Sequence, residues 1–413
     1  MKHNFYRYFL CGLMVLTGIN YGASQDYCDA LFTDNQFTSV QKVELKYGRA
    51  VEPTGYIDSI DLYLDLYYST DNTPEIRPMM ILLHGGSFIT ELGNKSSMEE
   101  ISRLMASKGF VVASISYRTW SFLLGGVPTV ANIVDVVTKA MLDLQSAIEY
   151  VVASQGQGQF PGVDVDNLII GGGSAGAITA LHRLYIDEED DLPDFLQAAF
   201  DQNGGLFPSH SDDYNIAYGL NLSGGILDTT WIDQGEPSLI SVHGTGDSTV
   251  YYEYGLANGF IELYGSKPVD ERLRHQGIES YLYTFEGGGH TDIYENIPLY
   301  REPLLQVLDT ALDLVHHQFC LRTSTLPDVR VADVELRNTL VQRDLIVVND
   351  EIKKMDFQIV DMWGRTIQGG QLGYGVQRIS FGGSAAGYYA FRVYSAEDGG
   401  QSRYQQLFYY GGG

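Results

Sequence analysis

Cysteine is nearly absent. The 413 residues contain three, none of them in a CxxC pair, so neither a disulfide-built scaffold nor a cysteine-ligated zinc site is available. Basic residues are scarce too: 26 Lys and Arg stand against 52 Asp and Glu, a formal charge of −26. A surface of that sign repels phosphate backbones and anionic lipid headgroups, which excludes nucleic acid as a general partner. The sequence has no GxxxxGK[ST] and no HExxH, so nothing supports phosphate-loop or zincin chemistry. What the chain has in plenty is glycine (46) and tyrosine (29), which point to many turns and to strands. With 44% hydrophobic and 19% charged residues the composition is globular, and the length favours two domains over one.

Residues 1–24 read as a targeting segment. Lys2 and Arg7 form a positive start, residues 8–19 an apolar run too short to span a bilayer comfortably, and Gly22-Ala23-Ser24 a small-residue cleavage site before Gln25. That is the layout of a secretory signal peptide, with a short membrane anchor as the alternative. It predicts a secreted or cell-surface protein. Cys28 and Cys320 then remain, either paired in one disulfide or as two free thiols.

From about residue 40 to 320, strand and helix patterns alternate. Residues 60–68 show a period of two. Short apolar runs at 79–83, 111–115, 168–170 and 239–242 suit strands covered on both faces. Helical spacing is expected over 98–108, 133–153, 259–263 and 304–317; in the second, Val137, Ala140, Met141, Leu144, Ala147, Ile148 and Val151 recur at i, i+3, i+4, i+7. Asp71-Asn72-Thr73-Pro74 reads as a hairpin turn. The alternation predicts an α/β domain with a mostly parallel sheet and helices on both faces. Past a polar linker at 321–330, short alternating segments (334–341, 345–348, 357–361, 378–381, 388–394 and 404–410) predict a small all-β sandwich. The expected division is a signal peptide 1–24, a catalytic domain 25–320, the linker, and a β domain 331–413.

The chemistry starts at Gly172-Gly173-Ser174-Ala175-Gly176, a GxSxG pattern between the run 168–170 and a helix-compatible stretch. A sharp strand-to-helix turn there exposes Ser174 Oγ at the carboxyl edge of the sheet. His84-Gly85-Gly86-Ser87-Phe88 follows another strand-like run. Two glycines after a strand leave backbone N–H groups of Gly85 and Gly86 free to meet an oxyanion, with the Ala175 N–H as a third donor. A catalytic triad needs an acid and then a histidine downstream. His243-Gly244-Thr245-Gly246-Asp247 puts Asp247 in a loop after a strand, and Glu286-Gly287-Gly288-Gly289-His290 puts His290 in a glycine loop after another. His290 would take the proton of Ser174 while Asp247 orients it. Among rivals, His243 lies within a strand end and orders the loop, His275 reads as surface, and His316 and His317 sit near a helix end. Asp228 and Asp233 are the other acids in order, Asp228 with a possible pocket-shaping role. Residues 119–130 form an apolar stretch that either lines an acyl pocket, covers it as a lid, or simply packs. The acidic run 187–191 matches no EF-hand loop and reads as a solvated face.

Together, His84 to Phe88, Gly172 to Gly176, Gly244 to Asp247 and Gly287 to His290 resemble the α/β-hydrolase carboxylesterases, and the HGTGDSTV core is similar to that of secreted bacterial members. The resemblance covers roughly residues 40–318. It implies an eight-stranded, mostly parallel sheet and ester hydrolysis without cofactor or metal, on small acyl, polysaccharide or polyester esters. Two positions depart from the usual pattern: Gly173 precedes the serine where many relatives carry a larger residue, and Ser87 stands where lipase-like members have a third glycine. The tail, with FQIVDMWGR at 357–365 and a late strand at 387–393, resembles the C-terminal sorting domain of type IX secretion cargo. It implies the export machinery as a partner and removal of the domain after export. A catalytically silent binding or adhesion protein and a peptidase are the rival functions on the same fold.

Overall fold

The computed structural model describes residues 37–294 except 72, 74, 156, 158, 159 and 209, together with Leu304, Arg365 and eight strand segments between Val334 and Tyr409. The expected signal peptide, Cys28, Cys320, His316, His317, the linker 321–330 and all but Leu304 of the helix expected over 304–317 lie outside the described residues. The chain divides into two compact units, Met1–Ser324 and Thr325–Gly413.

The first unit opens with β1 (Val40–Ala50), β2 (Ile60–Ser69) and β3 (Ile76–Leu83). After these come α1 (Glu99–Ser107), β4 (Val111–Ile115), the one-turn α2 (Phe122–Gly125) and the long α3 (Val130–Ala153). Next are β5 (Gly162–Gly173), α4 (Ala175–Tyr185), α5 (Asp194–Gln202), β6 (Ile216–Leu222), the two-residue β7 (Gly225–Ile226) and β8 (Ser238–Gly244). The unit closes with β9 (Tyr254–Ala257), β10 (Ile261–Gly265), α6 (Ser266–His275) and β11 (Ser280–Phe285). Eight of these strands form one sheet in the order β1-β2-β4-β3-β5-β6-β8-β11. From β4 to β11 every pair is parallel, whereas β2 is antiparallel to both neighbours and so runs against the other seven strands. The expected mostly parallel α/β fold is the fold observed.

Period-two burial explains why the sheet is sandwiched. Met79, Ile81 and Leu83 point into one apolar cluster that also holds Met141, Leu144 and Ile148 of α3 and Leu181 of α4. Their chain neighbours Met80 and Leu82 point into a second cluster with Ile101 and Met105 of α1. A capping box in which Thr129 and Asn132 satisfy each other's backbone N–H groups starts α3. With both faces covered, the open part of the sheet is the carboxyl edge, where β3, β5, β8 and β11 all end on the same side.

Two local expectations fail. Residues 259–263 are not helical: β10 begins at Ile261 and pairs antiparallel with β9 and β7 in a small second sheet. The apolar spacing of Phe260, Ile261 and Leu263 fits a helix turn and a strand equally, and the pairing decides it. The Asp71 segment is not a hairpin between β2 and β3, because β4 lies between those strands. Asp71 instead accepts the backbone N–H groups of Thr38 (2.8 Å) and Ser39 (3.1 Å) ahead of β1.

The second unit contains β12 (Val334–Leu336), β13 (Leu340–Val341), β14 (Asp344–Asn349), β15 (Met355–Asp361), β16 (Thr366–Leu372), β17 (Gly375–Ser380), β18 (Gly387–Tyr394) and β19 (Ser402–Tyr409). They form two sheets, β12-β14-β17 and β13-β19-β18-β15-β16, antiparallel except for β13 with β19. Phe357, Ile359, Leu372 and Phe391 are buried, and the Phe357 and Phe391 rings stack at 5.6 Å between centroids.

Candidate active site

β5 ends in Gly173, and the chain turns into α4 through Ser174 at φ 52°, ψ −117°. A non-glycine residue with positive φ is strained, by about 1–3 kcal/mol, and persists only where its surroundings dictate it. Here the dictation is tight. The Ser174 N–H donates to Leu222 O at 2.8 Å and its carbonyl accepts from Ile178 N at 2.9 Å. Gly172 and Gly176 flank the turn so closely to β3 that a Cβ on either would run into the Leu83 carbonyl. At Gly173 the space a larger residue would fill is taken by the Tyr294 ring, 3.2 Å from an added Cβ. That accounts for the small residue before the serine.

Ser174 Oγ lies 2.7 Å from His290 Nε2, and His290 Nδ1 lies 2.6 Å from Asp247 Oδ2. An ionised carboxylate only accepts, so Nδ1 carries the hydrogen and Nε2 is left to accept from the serine hydroxyl. Asp247 sits just past β8. Its Oδ1 accepts from Thr249 N (2.8 Å) and Val250 N (3.0 Å), and its Oδ2 also faces His243 Nε2 at 3.1 Å. Burial alone would push this carboxyl up. The hydrogen bonds from His243, His290 and the Thr249 N–H outweigh it and hold Asp247 well below the usual carboxylate range. The loop bearing His290 is tied down by Ser223, whose Oγ donates to His290 O at 3.0 Å. Ser223 itself sits at φ 54° in the Asn221-Leu222-Ser223-Gly224-Gly225 turn after β6.

At the end of β3, Gly85 lies against the serine: an added Cβ would stand 3.3 Å from Ser174 Cβ. Gly86 has φ 111° and packs on the Gly93 backbone, so no other residue fits there. The buried His84 ring donates from Nδ1 to Gly85 O at 2.6 Å and stacks on Tyr117 at 4.4 Å, while Tyr117 Oη donates to His84 O at 2.6 Å. Burial lowers His84 to about 4, so the ring is neutral. In a trans peptide the carbonyl and the next N–H point opposite ways. Pinning Gly85 O therefore fixes the direction of the Gly86 N–H. Ala175 opens α4, and its N–H belongs to the first turn, which has no acceptor within the helix.

The remaining candidates fall elsewhere. His243 is fully buried; Nδ1 accepts from Ser266 Oγ at 2.7 Å and Nε2 also meets Val250 O at 3.0 Å, so it orders the loop around Asp247. Asp228 caps a short turn through Thr230, and Asp233 faces Arg272 at 3.4 Å. His275 closes α6 away from the site. In the stretch 119–130, Glu91 accepts from Ser121 Oγ and from the Phe122 and Leu123 N–H groups, which holds α2 in place. Trp120 packs in the core, Leu123 and Val127 are exposed, and Val130 at the end of the stretch lines the cavity beside Ser174.

Beside Ser174 opens an apolar cavity of about 70 Å³, open to solvent at its mouth. The cavity was not legible in the sequence. Its walls come from the His84–Phe88 turn, α3, α4, α5 and the β9–β10 segment, which meet only in the fold. Among the described residues no cluster of His, Cys, Asp or Glu could hold a metal ion, and no helix is long and apolar enough to cross a membrane.

A family model described as BD-FAE matches residues 64–224. A probable isoprenylcysteine alpha-carbonyl methylesterase from Oryza sativa subsp. japonica is 26% identical over 276 residues, covering 60% of this chain and 59% of that protein. The chain thus spans less than two thirds of that relative's length. Among solved structures, Thermogutta terrifontis esterase 2 phosphorylated by paraoxon is similar with 19% identity and a TM-score of 0.48, covering 66% of this chain and 94% of the other. The butyrate-bound form of Thermogutta terrifontis Est2 is similar with 18% identity and a TM-score of 0.47, covering 67% and 95%.

Proposed function

We propose that the chain is a serine carboxylic-ester hydrolase in which Ser174, His290 and Asp247 form the triad and the N–H groups of Gly85, Gly86 and Ala175 form the oxyanion hole. The observation that carries the reading is the unbroken chain Ser174 Oγ, His290, Asp247 at 2.7 and 2.6 Å, mounted on a strained turn at the head of a helix. The relative from rice is described as a methylesterase, in keeping with this chemistry.

In the reaction, His290 Nε2 takes the Ser174 proton as Oγ attacks the ester carbonyl carbon. The carbonyl oxygen becomes an oxyanion facing the backbone donors, and Asp247 stabilises the imidazolium. The imidazolium returns the proton to the leaving alkoxide, and the alcohol departs from an acyl-Ser174. Water, deprotonated by the same Nε2, attacks the acyl carbon; the acid leaves and Ser174 regains its hydrogen. No cofactor takes part. Hydrolysis of p-nitrophenyl acetate by the wild-type chain and not by Ser174→Ala tests this. Equal rates would favour a catalytically silent binding role for the fold, and Ser174-dependent cleavage of peptides but not esters would favour a peptidase.

The chain is further proposed to be secreted, with residues 1–24 as a signal peptide and residues 331–413 as a sorting domain addressed to the export machinery. The basic start, short apolar run and small-residue site support the first; the FQIVDMWGR hairpin and the late strand at 387–393 support the second. Mass analysis of the protein from culture medium should give an N-terminus at residue 25. An intact residue 1 on a cell-retained chain would contradict it.

A further inference from the structure

We propose that the cavity beside Ser174 is the acyl site and that it selects esters of uncharged, apolar carboxylic acids larger than acetic acid. This rests on the hydrolase reading above and assigns the two halves of the substrate within it.

The direction follows from the position of His290. The leaving oxygen must lie next to His290 Nε2 to receive its proton, so the alcohol half of the ester points toward the loop 286–294. Among the described residues, none of that loop lines the cavity, whereas Ser174 and Ala175 do. With the alcohol on the histidine side and the oxyanion at the backbone donors, the remaining substituent of the carbonyl carbon is the acyl chain, and the cavity receives it.

The wall chemistry sets the class. Val134, Val137, Ile178, Leu227 and Leu263 present hydrocarbon. Apart from Ser174, the buried polar side chain of the wall is His182, and it is already engaged within the protein. His182 Nδ1 donates to Ile178 O at 2.7 Å, and Nε2 accepts the Leu227 N–H at 3.2 Å. Burial lowers this imidazole to about 4, which keeps it neutral. At the mouth, Ser87 Oγ accepts from Asn258 Nδ2 at 2.6 Å. Past the mouth, a hydroxylated or charged acyl group would therefore lose its water with no partner in exchange. An apolar group instead gains about fourfold in kcat/KM for each methylene buried. The space available exceeds what an acetyl group fills.

The test uses the full-length chain and two substrate series: p-nitrophenyl acetate, butyrate and hexanoate, which lengthen the acyl half, and ethyl, butyl and hexyl acetate, which lengthen the alcohol. The expected result is a rise in kcat/KM of about sixteenfold from acetate to butyrate and a further rise to hexanoate, with a shallower trend in the alcohol series. The 3-hydroxybutyrate ester should be about 10–100-fold slower than butyrate. Val137→Trp and Leu227→Trp, at two half-buried wall positions, should each cut the hexanoate-to-acetate ratio at least tenfold. If hydrolysis depends on Ser174 but rises with alcohol length and not acyl length, the assignment is overturned while the hydrolase reading stands. If no ester is cleaved in a Ser174-dependent way, the hydrolase reading falls and the acyl site with it.

Discussion

His243 and His290 address the same carboxylate oxygen: their ring nitrogens stand 3.1 and 2.6 Å from Asp247 Oδ2. Because Nδ1 of His243 accepts from Ser266 Oγ, its Nε2 carries the hydrogen and donates to Asp247 and to Val250 O. Two imidazole donors on one buried oxygen are what keep this acid ionised despite its burial. In the proposed triad His243 is thus a positioning residue that acts through Asp247. His243→Phe should lower kcat about tenfold. It should also move the titration of the Asp247 carboxyl, followed by 13C NMR, to higher pH, since Asp247 loses one of the donors holding its pKa down. His243→Gln, which keeps an N–H donor, should recover most of the activity; a Phe variant with an unchanged Asp247 titration would argue against the role.

Asp247→Asn offers a sharper dissection. The amide oxygen can still accept from Thr249 and Val250, so the loop after β8 should persist. The amide nitrogen cannot accept from His290 Nδ1, so the imidazole loses the tautomer that receives the serine proton. We expect kcat to fall about 10³–10⁴-fold with little change in KM or melting temperature. A loss confined to KM would contradict the role assigned to Asp247.

The turn around Ser174 makes a steric prediction. Gly176→Ala and Gly172→Ala place a Cβ against the Leu83 carbonyl, which β3 cannot move without breaking its pairing. Each should cost about 3 kcal/mol or more and lower Tm by at least 6 °C. Gly173→Ala meets only the edge of the Tyr294 ring at 3.2 Å and should cost under about 1.5 kcal/mol. Thermal unfolding of the three variants checks the order.

Much of this was legible because the informative signals are local. The runs 111–115 and 239–242 lie within strands whose two faces are both buried, and a short, almost wholly apolar run announces that without reference to the rest of the chain. GxSxG is legible because its five residues are contiguous, even though its glycines answer to the distant Leu83 carbonyl and Tyr294 ring. What failed depends on distant partners. Whether Phe260-Ile261-Glu262-Leu263 is helix or strand is decided by β7 and β9, and whether residues 71–74 join paired strands is decided by β4, some forty residues on. The amphipathic α5 and the polar α6, capped only by Gly265 backbone, give weak periodic signals. His182 and Asn258 reach the cavity through α4 and the β9–β10 turn, and nothing near them in the sequence says so.

Stability should depend on pH with two opposite signs. Burial lowers His84 and His182 from 6.5 to about 4. Between those values the unfolded chain binds more protons, so both groups weaken the fold as pH falls from about 6.5 toward 4. Burial raises Glu236 from 4.5 to about 8, helped by Asp233, Asp187 and Asp190. There the folded chain binds more protons, so stability drops as pH rises from about 4.5 through 8. Glu236→Gln keeps an acceptor for the Asp233 N–H and removes the charge. It should raise Tm by a few degrees at pH 8.5 and leave it unchanged at pH 4.5; an equal shift at both values would mean the gain is not electrostatic.

The account rests on Ser174 Oγ being made nucleophilic by His290. Its most direct measurement is stoichiometric labelling of the full-length chain with a fluorophosphonate, followed by peptide mass analysis. The account predicts one adduct per chain on Ser174, with labelling slowed at least a hundredfold by His290→Ala. Label on another residue, or the same labelling rate in the His290 variant, would contradict it.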